Sequence, residues 1–126
     1  MNKHQKQIIE NYVSSYNNFD VNGMTADLSV GVVFENVSNG TVGLRTEGLE
    51  AFTQQAESAK QYFKVRKQTI ESWTFDKSTV IIDISYKAIL AIDLPNGMQA
   101  GDALELKGKS VFEFDVSNIK KITDYS

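Results

Sequence analysis

The sequence predicts one α+β domain, with helices first and a long, curved antiparallel sheet last. Three observations carry that expectation. Apolar residues recur at helical spacing through most of the first half of the chain. From residue 65 the period changes to two, the spacing of strands. A length of 126 residues, with 41% hydrophobic and 23% charged side chains, suits a single domain spanning residues 1–126.

The elements follow in order. Ile8, Ile9, Tyr12, Val13 and Tyr16 form one stripe of a first helix, which Asn17-Asn18-Phe19-Asp20 breaks. Asp20 is an N-cap for a short second helix with apolar positions Val21, Met24 and Leu28. Residues 30–37 are β-branched and end at Ser38-Asn39-Gly40, which predicts a strand. Thr46 is expected to cap a third helix through Leu49, Phe52, Ala56, Ala59 and Phe63. Strands then follow at 65–75, where the pattern is mixed, and at 79–93, where Val80, Ile82, Ile84, Tyr86, Ala88, Leu90 and Ile92 share a face. Leu94-Pro95-Asn96-Gly97 is a turn. The cleanest strand carries Leu104, Leu106, Gly108, Ser110, Phe112 and Phe114 on one face, against Glu105, Lys107, Lys109 and Glu113 on the other. A last strand runs through Ile119, Ile122 and Tyr125, giving the order ααβαββββ.

Composition narrows the chemistry. A net charge of −3 and no basic run longer than Lys120-Lys121 argue against nucleic acid and against an anionic membrane surface. No apolar stretch reaches the ~18–20 residues of a membrane span, and no apolar leader follows the polar start, so a cytoplasmic location is expected. With no cysteine and a single histidine, His4, thiol chemistry and multi-histidine metal sites are excluded, and no cofactor is implied. Strands this long twist strongly, and helices on their concave side leave a cone. Its expected lining includes Ile82, Ile84, Tyr86, Phe112 and Phe114. Either the cone is an apolar pocket or these side chains fill it.

The opening Ile8-Ile9-Glu10-Asn11-Tyr12-Val13-Ser14-Ser15-Tyr16-Asn17-Asn18-Phe19-Asp20 resembles the first helix of SnoaL-like proteins. Val33-Phe34-Glu35-Asn36 matches their first strand, Gly48-Leu49-Glu50-Ala51-Phe52 the start of their third helix, and Asn118-Ile119-Lys120-Lys121-Ile122-Thr123-Asp124-Tyr125 their final strand. The resemblance, to the nuclear transport factor 2-like (ketosteroid isomerase-like) superfamily, covers nearly the whole chain. It implies a cystatin-like, cone-shaped α+β barrel around three N-terminal helices, often a homodimer, with a ligand pocket inside. It implies no single function, because this fold hosts enzymes, binding modules and scaffolds.

Carried over residue by residue, the family's enzyme patterns are incomplete. Tyr12 stands at the ketosteroid isomerase tyrosine, but Asn36 occupies the position of the base and Ser110 that of the second aspartate. Phe34-Glu35-Asn36 and Asp124 fit half of the limonene-epoxide hydrolase pattern, while Ile82 and Ile84 replace its charged pair and remove the proton donor. Asp124 matches the aspartate that SnoaL-type polyketide cyclases use as acid and base, and inside an apolar cone its pKa should rise. The alternative is a carboxylate at the barrel mouth, solvated or paired with a lysine.

The expected catalytic set is therefore Asp124, Tyr12 and Asn36, the last two as polar anchors. Tyr16, Met24, Phe34, Ile82, Ile84, Tyr86, Ser110 and Phe112 are the expected ligand-binding residues. The expected partner is a small apolar molecule bearing a carbonyl or hydroxyl group, with isomerase, cyclase or hydrolase chemistry. The rival is a non-catalytic binding or dimeric interaction module on the same fold, its cone largely filled.

Overall fold

A computed structural model describes residues 2–126. Helix α1 (Asn2–Asn17) leads to the short α2 (Val21–Thr25), where the Asp20 side chain accepts from the Gly23 N–H as an N-cap. Strands β1 (Leu28–Ser38) and β2 (Thr41–Glu47) follow, then α3 (Leu49–Ala59) and a 3-10 turn (Lys60–Tyr62). Strands β3 (Phe63–Asp76), β4 (Thr79–Leu90), β5 (Ala103–Asp115) and β6 (Asn118–Tyr125) complete the chain. None of the described helices is long and apolar enough to cross a membrane.

The α+β layout is as the sequence predicts, with differences in detail. Residues 41–47 form a strand, so the order is ααββαββββ. Asn39 and Gly40 both have positive φ, the backbone of a tight hairpin that folds β2 onto β1. Thr46 is consequently inside β2 and caps nothing; α3 starts after Gly48, whose φ of 91° turns the chain from strand to helix. Phe63 opens β3 instead of ending α3, and β4 stops at Leu90, leaving Ile92 in the following turn. The sheet is also mixed: its order is β2-β1-β6-β5-β4-β3, and β1 runs parallel to β6. It curves without closing, because β2 and β3 are both edges.

The concave side of the sheet holds the core. Ile9, Val32, Val80, Ile82, Phe112, Ile119 and Ile122 are sealed from solvent, and the Tyr12 ring meets Phe112 edge-on at 5.7 Å. On the convex side Glu35 takes Arg45 and Lys121 from the flanking strands, as its opposite parity to Phe34 and Asn36 requires. The C-terminal end of α1 is tied to the free edge of β3. Asn17 donates to the Gln68 carbonyl at 3.1 Å and accepts from the Gln68 N–H at 2.7 Å, so its amide substitutes for a neighbouring strand.

Candidate functional site

The cone is filled at one end and open at the other. In β4 the boundary falls between Ile82 and Ile84, in β5 between Phe112 and Ser110, and in β6 between Ile122 and Asp124. Beyond it lies a cavity of about 360 Å³. Three expected lining residues therefore sit elsewhere: Ile82, Phe112 and Phe114 are buried in the filled end, packed among neighbouring side chains. Their parity puts them on the concave face, but their position along the strands puts them past the cavity.

The other expected residues reach the wall. Tyr12 and Tyr16 come from α1 and Met24 from α2; Phe34 and Asn36 come from β1, Ile84 and Tyr86 from β4, Ser110 from β5 and Asp124 from β6. Asn36 is exposed and lies at the rim, not on the floor. Helix α3 closes the side opposite the sheet with Phe52, Ala56 and Ala59, which the sequence suggested only as a helical stripe, and with Gln55, which it did not single out.

One polar row crosses the sheet at the boundary. Asn36 pairs in register with Asp124, Asp124 with Ser110, and Ser110 with Ile82. The Ser110 hydroxyl, 3% exposed, donates to Asp124 Oδ1 at 2.7 Å. The Asp124 side chain is partly buried and lies on the cavity wall. Burial raises its pKa to about 6 from an ordinary 3.8, and the Ser110 hydrogen bond offsets only part of that rise. No cation pairs with it among the described residues.

The phenols divide into two kinds. Burial, reinforced by the nearby Asp124 charge, holds Tyr12 well above its ordinary value, so it is a proton donor and never an anion at neutral pH. Among the described residues its hydroxyl has no hydrogen-bond partner. Tyr16 and Tyr86 instead bond each other, hydroxyl to hydroxyl, at 2.9 Å. Both are raised chiefly by burial.

Sequence reasoning missed Arg66. It stands on the concave face of β3, is 4% exposed, and lines the cavity beside Phe63 and Gln68. A register shift between Ile70 and Ser72 hid it. Arg66, Gln68 and Ile70 share the inner face with Trp73 and Phe75, although their numbers differ in parity. The signal was available as an arginine two residues before Gln68 and four before Ile70, on one parity, ahead of a break in alternation.

No family model matches the chain and no curated protein matches its sequence. Solved structures do match. A candidate polyketide cyclase of Xanthomonas campestris pv. campestris superposes with a TM-score of 0.85 at 17% identity, over 98% of this chain and 90% of that one. A candidate SnoaL-like polyketide cyclase of Jannaschia sp. CCS1 gives 0.82 at 10% identity, over 97% and 84%. TerC, crystallised with polyporic acid, gives 0.76 at 10% identity, over 96% and 89%. The chain thus has the SnoaL-like, nuclear transport factor 2-like fold.

Proposed function

We propose that the chain binds a small, largely apolar molecule with a carbonyl group and moves a proton on the carbon beside it, Asp124 acting as base and then acid. The observation that supports this reading is the Asp124 carboxyl itself. It is desolvated on the cavity wall, held by Ser110 and ionised above about pH 6, which suits a base working near neutrality. The carboxylate takes the proton and the C–H electron pair moves toward the carbonyl oxygen. Tyr12, protonated and without a partner, donates a hydrogen bond to the oxygen as its charge develops. Return of the proton from Asp124 to another carbon completes an isomerisation; in a cyclisation the enolate carbon instead adds to a second carbonyl of the same molecule, and Asp124 returns its proton to the alkoxide oxygen so formed. Asn36 at the rim supplies an amide that orients the ligand.

A binding module without turnover is the second reading. It is favoured by Asn36, which occupies the first-strand position where the ketosteroid isomerase pattern carries its base. The cavity in either case accepts a ligand of about two fused rings.

Hydrogen exchange separates the two. With β-tetralone in heavy water, proton NMR follows loss of the protons beside the carbonyl. Exchange is expected to exceed the buffer rate, to rise with pH through about 6, and to vanish in Asp124→Asn while the ketone still binds. Binding without accelerated exchange in the parent chain would overturn the proton transfer and leave the binding module. Native mass spectrometry of the purified protein, where the family resemblance leads us to expect a homodimer, also reports any small molecule carried along.

A further inference from the structure

Arg66 has an unusual place for an arginine. Its guanidinium is desolvated, yet no carboxylate pairs with it among the described residues. Its Nε donates to the Tyr16 carbonyl at 2.8 Å, and Nη2 is buried with no partner. Aromatic faces support the charge: the central carbon lies 3.7 Å from the Tyr16 ring centre, 4.5 Å from Phe19 and 6.0 Å from Phe63. Such faces position a cation without neutralising it. A buried charge with unused donors is costly to keep unless something else satisfies it.

Its surroundings say where that something comes. Arg66 lies one row beyond the Tyr86–Gln68 pair, at the end of the cavity remote from the polar row of Asp124. Its charge is felt at the Tyr12, Tyr16 and Tyr86 phenols, all three of which line the cavity. Tyr16 and Tyr86 share a single hydrogen bond, which leaves one hydroxyl proton free for a further acceptor. Between that hydroxyl pair and Asp124 the sheet wall is apolar, with Ile84 and Gly108 in the intervening row.

We propose that the natural ligand carries a carboxylate, which Arg66 receives with the Tyr16–Tyr86 hydroxyl pair, at the opposite end from its carbonyl. This rests on the reading of the cavity as a ligand pocket and adds a specificity to it. The ligand is a keto acid in the broad sense: an apolar body with an anionic end and a reactive neutral end. Arg66 then orients the molecule, placing the carbonyl at Tyr12 and Asp124 and keeping the acid away from the Asp124 charge. The guanidinium offers a planar pair of N–H donors matched to the two carboxylate oxygens.

The test uses a near-isosteric pair, β-naphthoate and β-naphthamide, titrated into the folded chain. The parent should bind the acid roughly tenfold or more tightly than the amide, the expected difference for a charge-assisted hydrogen bond. Arg66→Met should lose that preference while keeping its affinity for the amide. Because that variant removes a buried side chain, a second readout stays in the parent. The nitrogen NMR signal of the Arg66 Nε–H should shift with the acid and not with the amide, accompanied by Tyr86.

Equal binding of acid and amide in the parent would overturn the carboxylate site and leave the pocket standing. If neither compound bound, both the pocket reading and this inference would fall. Shifts confined to Ser14 and Thr69 would also overturn it, since these line a groove between α1 and β3 that touches Arg66 from outside.

Discussion

Asp124 trades stability for basicity. Its folded-state pKa of about 6 lies above the ordinary 3.8, so the folded chain holds this proton more tightly than the unfolded chain. The stabilisation is complete below about pH 4, falls as pH rises through about 6, and is gone above that. Across that window the loss is at most about 3 kcal/mol. Asp124→Asn keeps an oxygen to accept from Ser110 and removes the charge. Urea titrations should show it more stable than the parent at about pH 8 and equal to it near about pH 4. Identical stabilities at both pH values would mean the carboxylate is solvated. At this scale the sequence was legible wherever strand parity ran unbroken. Ser110, Ile84 and Tyr86 could be placed on the inner face by counting in twos, whereas Asp124 rested on the resemblance of the last strand. Arg66 could not, because one irregularity between Ile70 and Ser72 shifts the count in β3.

Among the elements, the turns carry the information that periodicity lacks. Asn39-Gly40 adopts the left-handed backbone its residue types favour, and the β1–β2 hairpin follows. That dipeptide was readable as a hairpin signal, but Gly43 and Arg45 dilute the apolar alternation of β2, which obscured the strand. The β5–β6 turn is the opposite case. Val116 has φ 57° and is 96% exposed, so a β-branched residue occupies left-handed backbone with no packing to offset the strain. A side chain there costs about 1–2 kcal/mol, against about 0.5–1 kcal/mol for the extra freedom of glycine in the unfolded chain. Val116→Gly should therefore stabilise the protein by up to about 1 kcal/mol, read as a higher urea midpoint at unchanged slope. A lower midpoint would show that the turn conformation is not the strained one.

For the molecule as a whole, the sequence could establish a cone but not how far side chains fill it. The filled and open ends lie on the same strands under one alternation, although Gly108 and Ser110 stand at the open end where Phe112 and Phe114 stand at the filled one. The cover differs as well: α1 brings Ile8 and Ile9 into the filled core, while α3 presents small side chains, Ala56 and Ala59, to the cavity. Alternation along a strand cannot report the size of a side chain arriving from another element. Two substitutions test the division. Phe112→Ala empties space in the dense end, where neighbours cannot collapse, and should cost about 3–5 kcal/mol. Ala56→Leu adds apolar volume to space already present, so its stability should stay within about 1 kcal/mol of the parent. It should nevertheless weaken β-tetralone binding, because the added side chain occupies the ligand's place. A protein packed throughout would respond the other way, with Ala56→Leu strained by overpacking and no ligand to displace. The pair thus distinguishes a half-open cone from a closed core without knowledge of the natural ligand.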